Sequence, residues 1–277
     1  MPQVINTNLA SLNAQRNLSS TNNQMALALQ RLSSGLRVNS AKDDAAGLAI
    51  AERMNSQVRG MNVAMRNAND GISMAQVAEG ALGKISDMLQ RMRELAVQSA
   101  NATNSDGDRA NLDAEFQQLS QEVQRMLNGT RFNGADILAG GAGSQTFQVG
   151  AGTTADDTFT ITSGNLAGQA EVAAVTGGDL TSAANATTSM DNIDTLLDVI
   201  NNERAVWGAT QNRFEAIIAN LQVASENQAA ARSRIMDADF AAETAALTRA
   251  QVLQQAGNAM LAQANQLPST VLQLLGG

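Results

Sequence analysis

The chain of 277 residues contains no cysteine, no histidine and no tyrosine. The first absence removes disulfides and thiol nucleophiles; the second removes imidazole bases and the commonest metal ligand. Only two prolines occur, so helices can run long before a residue interrupts them. Aromatics make up 3% of a chain that is 44% hydrophobic, so a core must come from Ala, Leu, Ile, Val and Met. That palette suits slender helices packed side by side better than a core built on large rings. Basic residues fall short of acidic ones by eight, which leaves no cationic excess for nucleic acid. No run approaches the roughly 20 apolar residues of a membrane span, so membrane insertion is not expected. The first twenty residues lack the basic-then-apolar layout of a cleavable signal peptide, so an exported chain of this kind leaves by a route that uses none.

What is present is heptad patterning. Leu253, Gly257, Met260, Ala264, Leu267, Val271 and Leu274 alternate by four and three, the a/d seam of a coiled coil. Leu18, Met25, Leu29, Leu32 and Leu36 form a second seam at the other end of the chain. Each seam asks for another helix, in the same molecule or in a second copy. Between them a long helix is expected over 45–101, with Met54, Val58, Met61, Met65, Ala68, Ile72 and Ala75 in register, then Ala78, Leu82, Ile85, Leu89, Met92 and Ala96 after a slip of three. At 1.5 Å per residue it would be roughly 80 Å long, which implies a rod. A shorter helix carries Leu112, Phe116, Leu119, Val123 and Met126; a later one carries Ile193, Leu197, Ile200, Trp207, Phe214, Ile218, Leu221 and Ile235, with polar Arg204, Gln211, Ser225, Gln228 and Arg232 filling the same register.

The breaks are as informative as the helices. Gly35 can stop a helix, and Ser40 with Asp43 reads as the capping box that starts the next. Lys42, Asp43 and Asp44 are therefore read as helix-start charges and not as a catalytic or metal site. Met236-Asp237-Ala238-Asp239 mirrors that break near the other end. From Arg131 to Thr188 the composition turns to Gly, Ala, Thr, Ser and Asp, and 145–149 and 158–162 alternate as two strands of a hairpin. The Gly-rich runs there lack the Gly-Lys-Ser/Thr of a phosphate cradle.

The expected fold is thus mainly α, an elongated antiparallel helical rod or coiled coil with a small β-hairpin insert. Its parts are a terminal coiled coil of 1–41 with 237–277, a helical rod of 42–139 with 189–236, and an exposed hairpin-and-loop insert of 140–188. Closing so long a loop costs about 5 kcal/mol, and Gly257 and Ala264 bury little area in return. The ends are expected to be marginal in a lone chain and to fold when other copies surround them.

Ile5-Asn6-Thr7-Asn8, the run 31–50, the run Gln90-Arg91-Met92-Arg93-Glu94-Leu95-Ala96-Val97-Gln98-Ser99-Ala100-Asn101, Arg131-Phe132-Asn133-Gly134, and the closing Ser233-Arg234-Ile235 to Leu275 together resemble the end signatures of bacterial flagellins. The resemblance covers roughly the first 140 and the last 85 residues. It implies a secreted, non-enzymatic subunit of the extracellular flagellar filament for motility, exported through the flagellar type III channel and polymerised beneath a cap. Terminal helices would line the tube and the middle of the chain would face outward. The implied partners are other copies of the subunit, an export chaperone on the C-terminal helix, the filament cap and hook-junction proteins, and the animal innate immune receptor for flagellin; no cofactor is implied. Gln90, Arg91, Leu95 and Glu115 match the family's receptor contacts, while Arg91 with Glu115 also reads as a salt bridge between subunits. The hook-filament junction protein has similar ends but departs from the 90–101 run. A chemoreceptor's cytoplasmic rod is the rival from another class, and it calls for an anchor or sensor that the sequence does not display.

Overall fold

The computed structural model describes residues 7–141 and 143–275, with side chains through Gln266. In chain order the elements are α1 (Leu9–Ser34), α2 (Ala45–Ala100), α3 (Asp106–Gly129), β1 (Arg131–Phe132), β2 (Ala135–Asp136), β3 (Ser144–Gln148), β4 (Thr158–Thr162), α4 (Ala170–Thr176), α5 (Ala183–Met236) and α6 (Phe240–Leu275). Contacts divide the chain into two compact units, 57–226 and 1–56 with 227–277.

The larger unit is a helical layer around most of α2, α3 and α5. On α2 the alternating positions expected to be apolar and inward, from Met61 through Ala96, are buried or half-buried throughout. The slip at Ala75 to Ala78 leaves both alanines fully buried. α3 starts at Ser105, whose hydroxyl accepts from the Asp108 N–H while the Asp108 carboxylate accepts back from the Ser105 N–H. That reciprocal pair satisfies two of the donors that a helix start leaves without partners. Every position in the expected α5 register, including polar Arg204, Gln211 and Ser225, is buried or half-buried. Gln211 donates to Glu79 at 3.0 Å, so a polar seam residue finds its partner on α2.

Two differences from expectation concern the middle of the chain. β3 and β4 form the antiparallel hairpin in a register that sets Phe147 opposite Phe159. Both rings meet Phe214 of α5 edge-on, at centroid distances of 5.5 and 4.8 Å. The insert is therefore not merely exposed loop: Phe159, Ile161, Leu166, Val172, Val175 and Leu180 join the main core. The second difference is local structure too short for periodicity to reveal. β1 and β2 make a tiny hairpin turning at Asn133 (φ 48°) and Gly134 (φ 82°), α4 is a seven-residue helix, and α5 begins six residues before Ser189.

In the smaller unit α1 and α6 pair antiparallel. α1 is capped at its start by Asn8, whose side chain accepts from Ser11 N–H, and ends at Gly35 in the left-handed region (φ 71°), where its N–H reaches the Arg31 carbonyl. Glycine adopts that conformation without the penalty of a Cβ. The two helix breaks meet each other: Arg37 N–H donates to the Met236 carbonyl at 2.6 Å and Ala238 N–H to that of Gly35 at 2.9 Å. Val38, Ala51 and Met236 make a small core beneath them. The expected start of α2 at Ser40 is corrected. Asp43 closes a turn, accepting from the Ser40 hydroxyl and from the N–H groups of Asn39 and Ser40, which hold its carboxyl below the usual range. Asp44 is the side chain that caps α2, accepting from Gly47 N–H at 2.8 Å. Two adjacent carboxylates thus divide the work that the spacing had given to one. α6 continues past Pro268 without ending.

Candidate assembly surface

The α1 and α6 pair has an inner face and outer faces, and they differ in kind. On α6 the sheltered positions are Glu243, Leu247, Ala250, Gln254, Gly257, Leu261 and Ala264, spaced four and three. On α1 they are Ser11, Ala14, Leu18, Thr21, Met25 and Ala28. The inner seam is made mainly of small or amide side chains. A Cβ added to Gly257 would lie 3.3 Å from the Leu18 side chain, so glycine sets a close approach there. Polar contacts fix the register: Arg31 to Glu243 at 2.8 Å, Gln254 to Asn22 at 2.9 Å, Ser11 to Asn265 at 2.8 Å, and Asn8 to the Ala264 carbonyl at 2.7 Å. From Ser11 through Asn22 to Arg31 the partner moves back along α6 from Asn265 through Gln254 to Glu243, the signature of an antiparallel pair in a single register.

Several large apolar residues are outside. On α6 Phe240 and Val252 are each 59% exposed, Leu253 is 47% and Met260 is 65% exposed. On α1, Leu9, Leu12, Leu27 and Leu29 are exposed. Leu253 and Met260 stand seven apart on one side of α6, adjacent to the inner seam and distinct from it. Of the twelve positions named for the two seams, then, Leu18, Met25, Leu32, Leu36 and Gly257 are half-buried and Ala264 is buried, whereas Leu29, Leu253 and Met260 face solvent. The side chains of Leu267, Val271 and Leu274 lie outside the described residues. Phe240, Val252, Leu9, Leu12 and Leu27 escaped the heptad reading because they sit off the a/d positions. Leu9 and Leu27 are nevertheless eighteen residues apart, five whole turns, which places them on one line of the helix.

The second set of named residues is in the larger unit. Gln90, Arg91 and Glu115 are exposed. Arg91 pairs with Glu94 and with Glu115, both at 2.9 Å, and these carboxylates raise its already high pKa. The Arg91–Glu115 bridge thus joins α2 to α3 within one chain. Leu95 is 1% exposed and belongs to the core, so it is not on the surface that the other three share. Beside them Arg93 grips Asp194 with two hydrogen bonds, at 2.6 and 3.1 Å, and lowers the pKa of that carboxyl. Among the described residues no group of three or more carboxylates is placed to hold a metal ion, and no helix is long and apolar enough to cross a membrane.

Comparison with known proteins gives these surfaces a context. Residues 5–142 match the family model of the bacterial flagellin N-terminal helical region, and residues 190–275 that of the C-terminal helical region. A flagellin of Halalkalibacterium halodurans is 48% identical across 98% of this chain and 99% of its own length. The chain belongs to the bacterial flagellins. A flagellin crystal structure from Bacillus cereus is 32% identical and superposes with a TM-score of 0.50 over 56% of this chain and 88% of that one. A hook-associated protein structure from Vibrio parahaemolyticus covers 70% of this chain with a TM-score of 0.58, but at 15% identity it speaks to the fold alone. As a flagellin, this protein is a structural subunit of the bacterial flagellar filament, the polymer that drives motility. The exposed apolar stripes of α1 and α6 are thus found on a molecule that self-polymerises.

Proposed function

We propose that the outward stripes of α1 and α6 are the surfaces that neighbouring flagellin copies cover in the filament, and that the terminal pair reaches its full order only there. The observation that carries this reading is how much apolar side chain the pair leaves uncovered: its inner seam mixes Leu18, Met25, Leu247 and Leu261 with alanine, glycine, serine and amide residues, while Leu253, Met260, Val252 and Phe240 meet water. Phe240, Val252 and Leu253 line one open groove on α6, with Thr244 and Thr248 between them, and an exposed apolar patch of that kind marks a surface that a partner covers. The proposal assigns the seam residues Leu253, Met260, Leu267, Val271 and Leu274 to contacts between copies, and Leu18, Met25 and Ala264 to the pair itself. Leu29 and Leu32 border both.

The test uses the full chain. Val252→Gln with Leu253→Gln changes only exposed side chains, so monomer helicity and unfolding midpoint stay as in the wild type while salt-induced polymerisation is lost. Filaments of normal length from that variant would remove the stripe from the interface. Deleting 251–277 is expected to leave a helical, soluble monomer that does not polymerise.

Further parts of the reading rest on the family. We place the site for the innate immune receptor at Gln90, Arg91 and Glu115, with Leu95 supporting the surface from beneath, and the site for the export chaperone on α6. The chain is secreted through the flagellar type III channel, meets the cap and hook-junction proteins at the filament's ends, and performs no catalysis. Arg91→Ala should abolish receptor signalling by monomers without altering their fold, because the Arg91 bridges are exposed and such pairs contribute little to stability. Undiminished signalling would remove that assignment.

A further inference from the structure

We infer that Met260 is an oxidation site through which peroxide keeps free subunits out of the polymer. The chain has twelve methionines. Among the described residues Met61, Met74, Met92 and Met236 are buried, six more are half-buried, and Met260 alone is exposed, at 65%. Sulfoxide formation tracks exposure of the thioether, so hydrogen peroxide meets this sulfur before those of the other described methionines. In the reaction a lone pair on Met260 Sδ attacks one peroxide oxygen. The O–O bond breaks as the S–O bond forms, the thioether is oxidised by two electrons, and the departing hydroxide takes the remaining peroxide proton and leaves as water.

Position turns this susceptibility into a switch. Met260 stands seven residues beyond Leu253 on the outward stripe of α6. From Ala250 to Gln266 the sequence has no charged residue. A sulfoxide there leaves the monomer intact, since its oxygen stays in water. It penalises assembly, because the oxygen has to be desolvated when the stripe is covered. The inference rests on the stripe being the covered surface.

The experiment treats purified full-length monomer with hydrogen peroxide, maps sulfoxides by mass spectrometry, and then starts polymerisation with salt. The expected result is that Met260 oxidises first, that oxidised chains are depleted from sedimented filaments, and that Met260→Leu polymerises equally well before and after peroxide. Oxidised Met260 present in filaments at the same fraction as in the starting monomer would overturn the inference. So would another methionine oxidising first, or Met260→Leu losing assembly to peroxide as the wild type does. Val252→Gln with Leu253→Gln, run alongside without peroxide, separates the two ideas. If it blocks assembly while oxidised Met260 does not, the stripe stands and the switch falls; if it assembles normally, the stripe itself falls.

Discussion

Gly71 lies within α2 where a Cβ would come 2.4 Å from the ring of Phe214, the aromatic residue that anchors the hairpin. Glycine inside a helix ordinarily sacrifices about 1 kcal/mol relative to alanine. Here the steric term is larger, since forcing a methyl into a filled core costs about 1 to 3 kcal/mol. Gly71→Ala is therefore expected to destabilise the larger unit, whereas Gly80→Ala on the same helix, with nothing within 4 Å of the added methyl, should stabilise it. Urea unfolding of the two variants checks the opposite signs. Neither sign was legible in the sequence, where both glycines look like equal flaws in a helix; only the position of Phe214 separates them. Leu95 carries a similar lesson. The heptad reading had Met92 and Ala96 as the inward pair, but at this level α2 packs against both α3 and α5, so its apolar stripe is wider than a two-helix seam and takes in Leu95 as well.

Among elements, α3 shows how a helix end couples to pH. The Asp108 carboxyl is held below its usual range chiefly by the Ser105 hydroxyl, then by the Ser105 N–H. A carboxyl whose pKa is depressed on folding adds stability above its unfolded value of about 3.9, and that stability is lost as pH falls through the lower folded value. Ser105→Ala should cost about 1 kcal/mol near neutral pH, and its difference from the wild type should narrow under acid, where Asp108 is protonated in both. Unfolding midpoints measured across the acid range test this; a difference that stays constant with pH would contradict it. The long helices and both strands of the main hairpin were legible because each repeats its period several times. The β1–β2 hairpin and α4 complete too few repeats to register. For the first, the Asn133-Gly134 pair was the available signal, since both residues take the positive φ that a two-residue hairpin turn requires.

Across the whole molecule the two units differ in what they bury. The larger one removes Phe116, Phe214, Leu82, Ile85, Leu89 and Leu127 wholly from water, and each such side chain contributes about 1.5 to 3 kcal/mol. The smaller one shelters Ser11, Ala28, Ala250 and Ala264 between its terminal helices, where an alanine methyl is worth about 0.8 kcal/mol at most. The sequence announced that both ends want helical partners, and its large residues were read as the seam. Heptad spacing could not say which of two neighbouring stripes on α6 meets α1, because both contain Gly257 and Ala264 at their shared edge. What decides it is the register fixed by Arg31 with Glu243 and Asn22 with Gln254.

Amide hydrogen exchange, followed for the same chain as dilute monomer and as filament, tests the account at its centre. The amides of α1 and α6 should exchange far faster than those of Leu82–Ala96 in the monomer, and become strongly protected once the filament forms. Terminal helices as protected as α2 in solitary monomers, or left unprotected after polymerisation, would contradict it.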